Sequence, residues 1–306
     1  MDKEFKSYKE QIRLLKSNGL IITDEEHAIR TLTNVSYFAL INGYKRPFKD
    51  GKGNYVTGTT FEDIEHLYLF DEKLRIFMLK QLLSIERRVK SSISYHFSRQ
   101  FGEANAYFNV NNYNYSGKNV ENINKLVTIL KEIHDSDRHS YINHYKDHHN
   151  DEIPLWVLIN AMTFGQISMM YSFLQQSTQQ RMCNDFKIPS QSDMAQMLNM
   201  ITLFRNVCAH NERLYDYHTQ SGVKKKYIEM YIRNTETKNF EKTSKGFFGA
   251  LVCCKCLMPD LEASEFFAEL EQFIYNAEIM KSEKMRSILL NEMGMPENWT
   301  DIIAVG

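Results

Sequence analysis

Apolar residues recur at every third or fourth position along most of this chain, and that spacing predicts helices in succession. Residues 3–18 carry Phe5, Tyr8, Ile12 and Leu15 at helical spacing and stop at Asn18-Gly19. A second helix opens at Thr23-Asp24-Glu25-Glu26, where Thr23 or Asp24 can cap and Glu26 can close a capping box. It continues through Ala28, Ile29, Leu32 and Val35 towards Tyr37–Tyr44. Over residues 61–100 the period holds for about ten turns, which predicts either two abutting helices or one spine on which others pack. Further helices are expected at 119–134, at 153–174 with Gly165 as a helix end or close-approach point, from Ser192 into the stretch 204–215, and at 246–258 and 261–290. Between them lie a turn-rich insertion at 45–60 with a possible hairpin around Asp50-Gly51 and an Asn- and Tyr-rich loop at 101–120. A polar connection at 177–193 and a polar, mobile loop at 233–245 complete the pattern.

Only 13 Gly and 5 Pro in 306 residues argue against an all-β protein, so the expected fold class is all-α. The length fits one compact unit, or an N-terminal helical region at 1–60 followed by a helical domain at 61–306. Net charge is −1, so any nucleic-acid site must be a local patch rather than a global basic field. No leader and no apolar run near 18 residues is visible, and the five cysteines suit a reducing compartment, which leads to the expectation of a cytoplasmic protein without membrane contact.

One stretch concentrates chemistry: Phe204-Arg205-Asn206-Val207-Cys208-Ala209-His210-Asn211-Glu212-Arg213-Leu214-Tyr215. Read as one helix at about 100° per residue, it puts Asn206 and His210 about 40° apart with Arg213 near the same line, and gathers the apolar residues opposite. Histidine can carry a proton either way near neutral pH, and arginine can fork onto phosphate oxygens. An Arg followed by His after four to six residues also occurs at Arg138…His144 and Arg213…His218, so the spacing alone is a weak signal. Arg87-Arg88 and Lys224-Lys225-Lys226 form local basic strips, each readable as a solvated face or as a track for RNA phosphates. His144 and His148 share a helical face, but no third ligand is spaced to complete a metal site. Cys253, Cys254 and Cys256 read as core.

The string Arg205-Asn206-x-Cys208-Ala209-His210-Asn211-x-Arg213-Leu214 resembles the Abi (abortive infection, AbiD/AbiF-like) branch of the HEPN superfamily. So do the opening with its Tyr37-Phe38-x-Leu40-Ile41-x-Gly43-Tyr44 box, the segment from Phe61 to Glu86, and Trp156 followed eight residues later by Phe164-Gly165. The resemblance spans about residues 5–217 and implies a HEPN-type helical bundle. It also implies an antiphage toxin that cuts RNA without metal or other cofactor, at a cleft shared by two copies of the chain. By it, Arg205 and His210 are catalytic, and Asn206 orients the phosphate or the imidazole. Asn211 and Arg213 are expected on the substrate side, with Lys224, Lys225, Lys226, Arg87 and Arg88 as RNA contacts. The alternative is a non-catalytic module that holds a small structured noncoding RNA as antitoxin or guide.

Overall fold

The computed structural model describes residues 4–102, 104–232 and 240–304. It is 72 % helical with no strand among the described residues, in agreement with the expected all-α class. In chain order the α-helices are α1 (Tyr8–Ser17), α2 (Glu25–Val35), α3 (Phe61–Phe101), α4 (Val120–Asp135), α5 (Ser140–His148), α6 (Leu155–Leu158), α7 (Phe164–Phe173) and α8 (Gln176–Asp185). They continue as α9 (Gln191–Ala209), α10 (Lys225–Tyr231), α11 (Phe240–Lys245), α12 (Phe247–Leu257), α13 (Asp260–Asn276), α14 (Glu283–Glu292) and α15 (Asp301–Ala304).

The long apolar period at 61–100 is one helix, α3, of 41 residues and about 60 Å. It starts at a Thr60/Asp63 capping box and ends before Gly102, whose positive φ a side chain would disfavour. Ile64, Leu67, Leu74, Met78, Leu82, Val89, Ile93 and Phe97 are fully buried along it. Against this stripe pack α6, α7, α8, α9 and α12. Burying each such side chain stabilises the fold by roughly 1.5–3 kcal/mol before conformational entropy is counted, so the spine organises the rest.

Several expected boundaries move. The insertion at 45–60 closes through one bridge, Lys49 with Tyr55, rather than through paired strands. Residues Phe38–Asn42 wind as a π-helix. The helix expected at 153–174, with Gly165 as its end or close-approach point, is split at Met162-Thr163 instead, because Thr163 and Gln166 form a capping box that starts α7 afresh. Gly165 therefore lies in the first turn of α7, and Trp156, expected in a buried helix, is 42 % exposed. The polar connection at 177–193 contains α8, held by buried Thr178, Met182 and Cys183. Residues 261–290 break at 277–282, where Ser282 caps α14. Of the loop at 233–245, residues 240–245 form α11, and 233–239 lie outside the described residues.

Helix α12 is buried from Phe247 to Lys255 and contains Cys253 and Cys254 at 0 % exposure, so these two are core as expected, while Cys256 is only half-buried against it. It passes so close to the end of α11 that a Cβ on Gly249 would lie 2.1 Å from the Ser244 carbonyl oxygen and 2.9 Å from Met200 Cε. Gly249→Ala is expected to lower unfolding free energy by about 1–3 kcal/mol, as overpacking does. Urea unfolding would measure it, and an unchanged midpoint would contradict the close approach.

Candidate functional site

The chemistry-bearing stretch is not one helix. Helix α9 ends at Ala209: the His210 N–H donates to the Asn206 carbonyl at 2.9 Å, and the Glu212 N–H reaches back to the Val207 carbonyl at 3.0 Å. Between them Asn211 sits in the left-handed region at φ 58°. This is a Schellman stop, and asparagine is one of the few side chains that tolerate its geometry. Arg213 therefore leaves the helical line on which it was expected.

The stop is enforced from α3. Asp71 and Arg75, one turn apart on the spine, are 0 % and 3 % exposed and bond to each other at 2.6 Å. Arg75 Nη2 donates to Asn211 Oδ1 at 2.6 Å, and Arg75 Nη1 donates to the Tyr44 hydroxyl at 3.1 Å. The Asp71 carboxylate accepts the Tyr44 hydroxyl at 2.8 Å and the backbone N–H groups of Leu214 and Tyr215 at 3.1 and 2.8 Å. Burial pushes the Asp71 carboxyl up, and the Arg75 charge and these donors act against that push. The chain is thus drawn inward at residues 214–215, directly after the turn that leaves His210 outside.

His210 is exposed, and its ring makes no hydrogen bond among the described residues. Arg205 is half-buried, with Nε 3.4 Å from Glu86 Oε2 on α3, and Glu86 also pairs with Lys90 at 2.8 Å. The two terminal nitrogens of Arg205 and the Asn206 carboxamide make no hydrogen bond among the described residues. The α9 terminus therefore brings together an open imidazole, a guanidinium fork held by its inner nitrogen, and a carboxamide. Asn211 and Arg213 belong to a different set. Asn211 is tied to Arg75, while Arg213 donates to Asp216 at 2.6 Å and to the Gly43 carbonyl.

The basic strips are largely occupied within the chain. Lys224 and Lys226 each lie 2.5 Å from a different oxygen of Asp193, near the start of α9, and Tyr227 donates to the same carboxylate at 2.8 Å. Lys225 pairs with Glu229 at 3.0 Å on the surface. Arg88 donates to the carbonyls of Leu257 and Asp185 at 2.7 and 3.2 Å and lies over the Phe186 ring. Arg87 alone among these residues is exposed without a partner in the described residues. In the histidine run, the rings of His144 and His148 stack at 4.4 Å, and no trio of His, Cys, Asp or Glu converges among the described residues.

Tyr44, Asp71, Arg75, Glu86 and Asp193 were not singled out from the sequence as site residues. Asp71 and Arg75 had a readable signal: opposite charges four apart, inside a stripe whose neighbours Leu67, Leu74 and Met78 are all apolar. Asp193 had none, because its partners are distant in the chain, and of the partners of Glu86 only Lys90, four residues on, was readable.

An all-α bundle built on one long spine, with an Arg…His helix terminus at its surface, is the class of protein these features define. The chain belongs to the family of Abi-like proteins, whose model matches residues 30–216, more than half of its length. No curated protein and no solved structure was found to match it. No helix among the described residues is long and apolar enough to cross a membrane.

Arg75→Met would leave the Asp71 carboxylate buried without its cation, and breaking a buried pair in this way costs about 3–5 kcal/mol. A loss under 1 kcal/mol in denaturant unfolding would contradict that account. Asp193 is a second electrostatic anchor. Burial pushes its carboxyl up, but the hydrogen bonds from Lys224, Lys226 and Tyr227 outweigh that and hold it at about 2. Its folded pKa thus lies below the unfolded value near 3.9, so its contribution is present above about pH 4 and fades as pH falls towards 2. The stability gap between the parent and Asp193→Asn is expected to narrow over that window in chemical unfolding. A constant gap would count against the clamp.

Proposed function

We propose that this chain is a metal-independent RNA endonuclease of the HEPN type. Its membership of the Abi-like family associates it with abortive infection, a defence against phage. RNA carries its own nucleophile, the 2′-hydroxyl beside each phosphate. Cutting therefore needs a base for that proton, an acid for the departing 5′-oxygen, and cations around the crowded phosphate. His210 takes one proton role. The free fork of Arg205 engages the phosphate oxygens, with Glu86 holding its Nε, and Asn206 donates to the phosphate or steadies the ring.

The observation that carries this reading is the exposure of His210 at the end of α9, where an imidazole sealed in the core would have ruled it out. Within this constellation one chain supplies one imidazole, so the second proton carrier is His210 of a second copy whose motif faces the same cleft. Asn211 and Arg213 act indirectly, by shaping the turn that presents His210.

The test is cleavage of a single-stranded RNA in the presence of chelator, with analysis of the product ends. The parent is expected to cut and leave cyclic phosphate ends. His210→Ala is expected to lose about 10²- to 10⁴-fold in rate, the usual contribution of a positioned acid or base, while still retaining RNA in a filter assay. A variant that cuts as well as the parent would refute the assignment. Retention of one copurifying RNA species by both proteins, with no cutting by either, would favour the RNA-holding alternative.

A further inference from the structure

Helix α3 has a second side that the motif does not use. Towards α9 it presents Arg75 and Glu86. Towards α13 it presents Phe70 and Phe77, which stack on Phe273 and Phe266 with centroids 5.4–5.6 Å apart. Between these two lines runs an exposed stripe with a seven-residue repeat. Leu69, Ile76 and Leu83 are 37 %, 67 % and 40 % exposed. Lys73, Lys80 and Arg87 follow each of them by four residues and are also exposed. Successive members of either set stand about 10.5 Å apart along the helix.

The facing wall has the opposite sign. Helix α13 contains five carboxylates and no lysine or arginine, and Glu262, Glu265 and Glu269 form one exposed row at helical spacing. Two depressions, of about 450 and 370 Å³, lie along the seam between the two helices. Lys73 and Glu269 line the first, and Arg87 and Glu262 line the second. Across this seam no ion pair forms: among the described residues, none of the three cations and none of these three carboxylates has a charged partner.

A groove with one basic and one acidic wall, and exposed aliphatic side chains at a helical repeat, narrows what can cover it. An RNA backbone would be repelled by the glutamate row and would leave Ile76 uncovered. An acidic helix from another protein would meet the same row. A second copy of this chain, related by a two-fold axis along the groove, lays its glutamate row over the basic stripe and its basic stripe over the glutamate row, and covers the aliphatic residues twice.

We infer that the α3/α13 groove is the face through which two copies of this chain pair, with Lys73, Lys80 and Arg87 of each copy meeting the α13 carboxylates of the other. The pairing stands on the groove alone; its consequence for RNA cutting rests on the nuclease reading above.

The test is sedimentation velocity on the full chain. The parent is expected to sediment as a dimer, and Ile76→Glu with Leu83→Glu as a monomer with an unchanged thermal melt. Because a lost dimer can also reflect a damaged fold, two charge-reversed chains provide the decisive experiment. One carries Lys73→Glu, Lys80→Glu and Arg87→Glu, and the other carries Glu262→Lys, Glu265→Lys and Glu269→Lys. Each is expected to be monomeric alone, and their mixture to form a one-to-one dimer. A monomeric parent, dimers of either reversed chain alone, or a mixture that stays monomeric would overturn the proposal. RNA cutting is read on the same samples. Monomers that still cut would leave the pairing face intact and instead refute the shared cleft.

Discussion

A buried carboxylate and guanidinium on one turn of α3 are the constraint on which the rest of the site depends. Asp71 and Arg75 lie inside the apolar stripe that makes α3 the spine, where a lone charge would be costly. Apart from the bond they make to each other, their hydrogen bonds go to segments far away in sequence: Tyr44 from the N-terminal region, and Asn211, Leu214 and Tyr215 from the stretch after α9. Replacing such a pair with apolar residues can be nearly neutral for stability, so its contribution here is chiefly geometric. It converts a segment with good helical periodicity into a stop, and so decides which side chains of the motif reach solvent.

The same logic accounts for most of the cations near the motif. Arg213 closes onto Asp216 and Gly43, Lys224 and Lys226 close onto Asp193, and Arg88 caps two carbonyls. These groups brace the loops around α9. What remains open at the motif is small: one imidazole, one guanidinium fork and one carboxamide. A chain with net charge −1 has no broad field to attract nucleic acid, so any RNA reaching a site of this kind would have to be brought close by other means. The basic residues of α3 that stay unpaired lie beside an acidic row, which suits a protein surface better than a phosphate track.

Much of the fold was legible in the residue pattern because helices declare themselves locally. The 3.6-residue period over 61–100 depends only on neighbours within one or two turns, and so do the caps at Thr60 and Asp24. Where the pattern misled, a local competitor was overlooked or a distant one prevailed. Thr163 with Gln166 restarts a helix inside an apolar run, and Ser282 does the same near the C-terminus. Helix α8 was hidden by its polar composition, since three buried side chains are enough to hold ten residues against α3 and α9.

For the site, the chain by itself determined the identity of the polar groups and their spacing along an apolar, helix-compatible stretch, because type and spacing are written in order along residues 204–215. Only the tertiary structure decided where that helix ends, which of its polar groups are occupied, and that His210 is outside. Those outcomes depend on contacts between residues more than a hundred positions apart, such as the hydrogen bond of Arg75 with Asn211 and the ion pair of Glu86 with Arg205, and contacts of that kind leave no periodic trace in either segment.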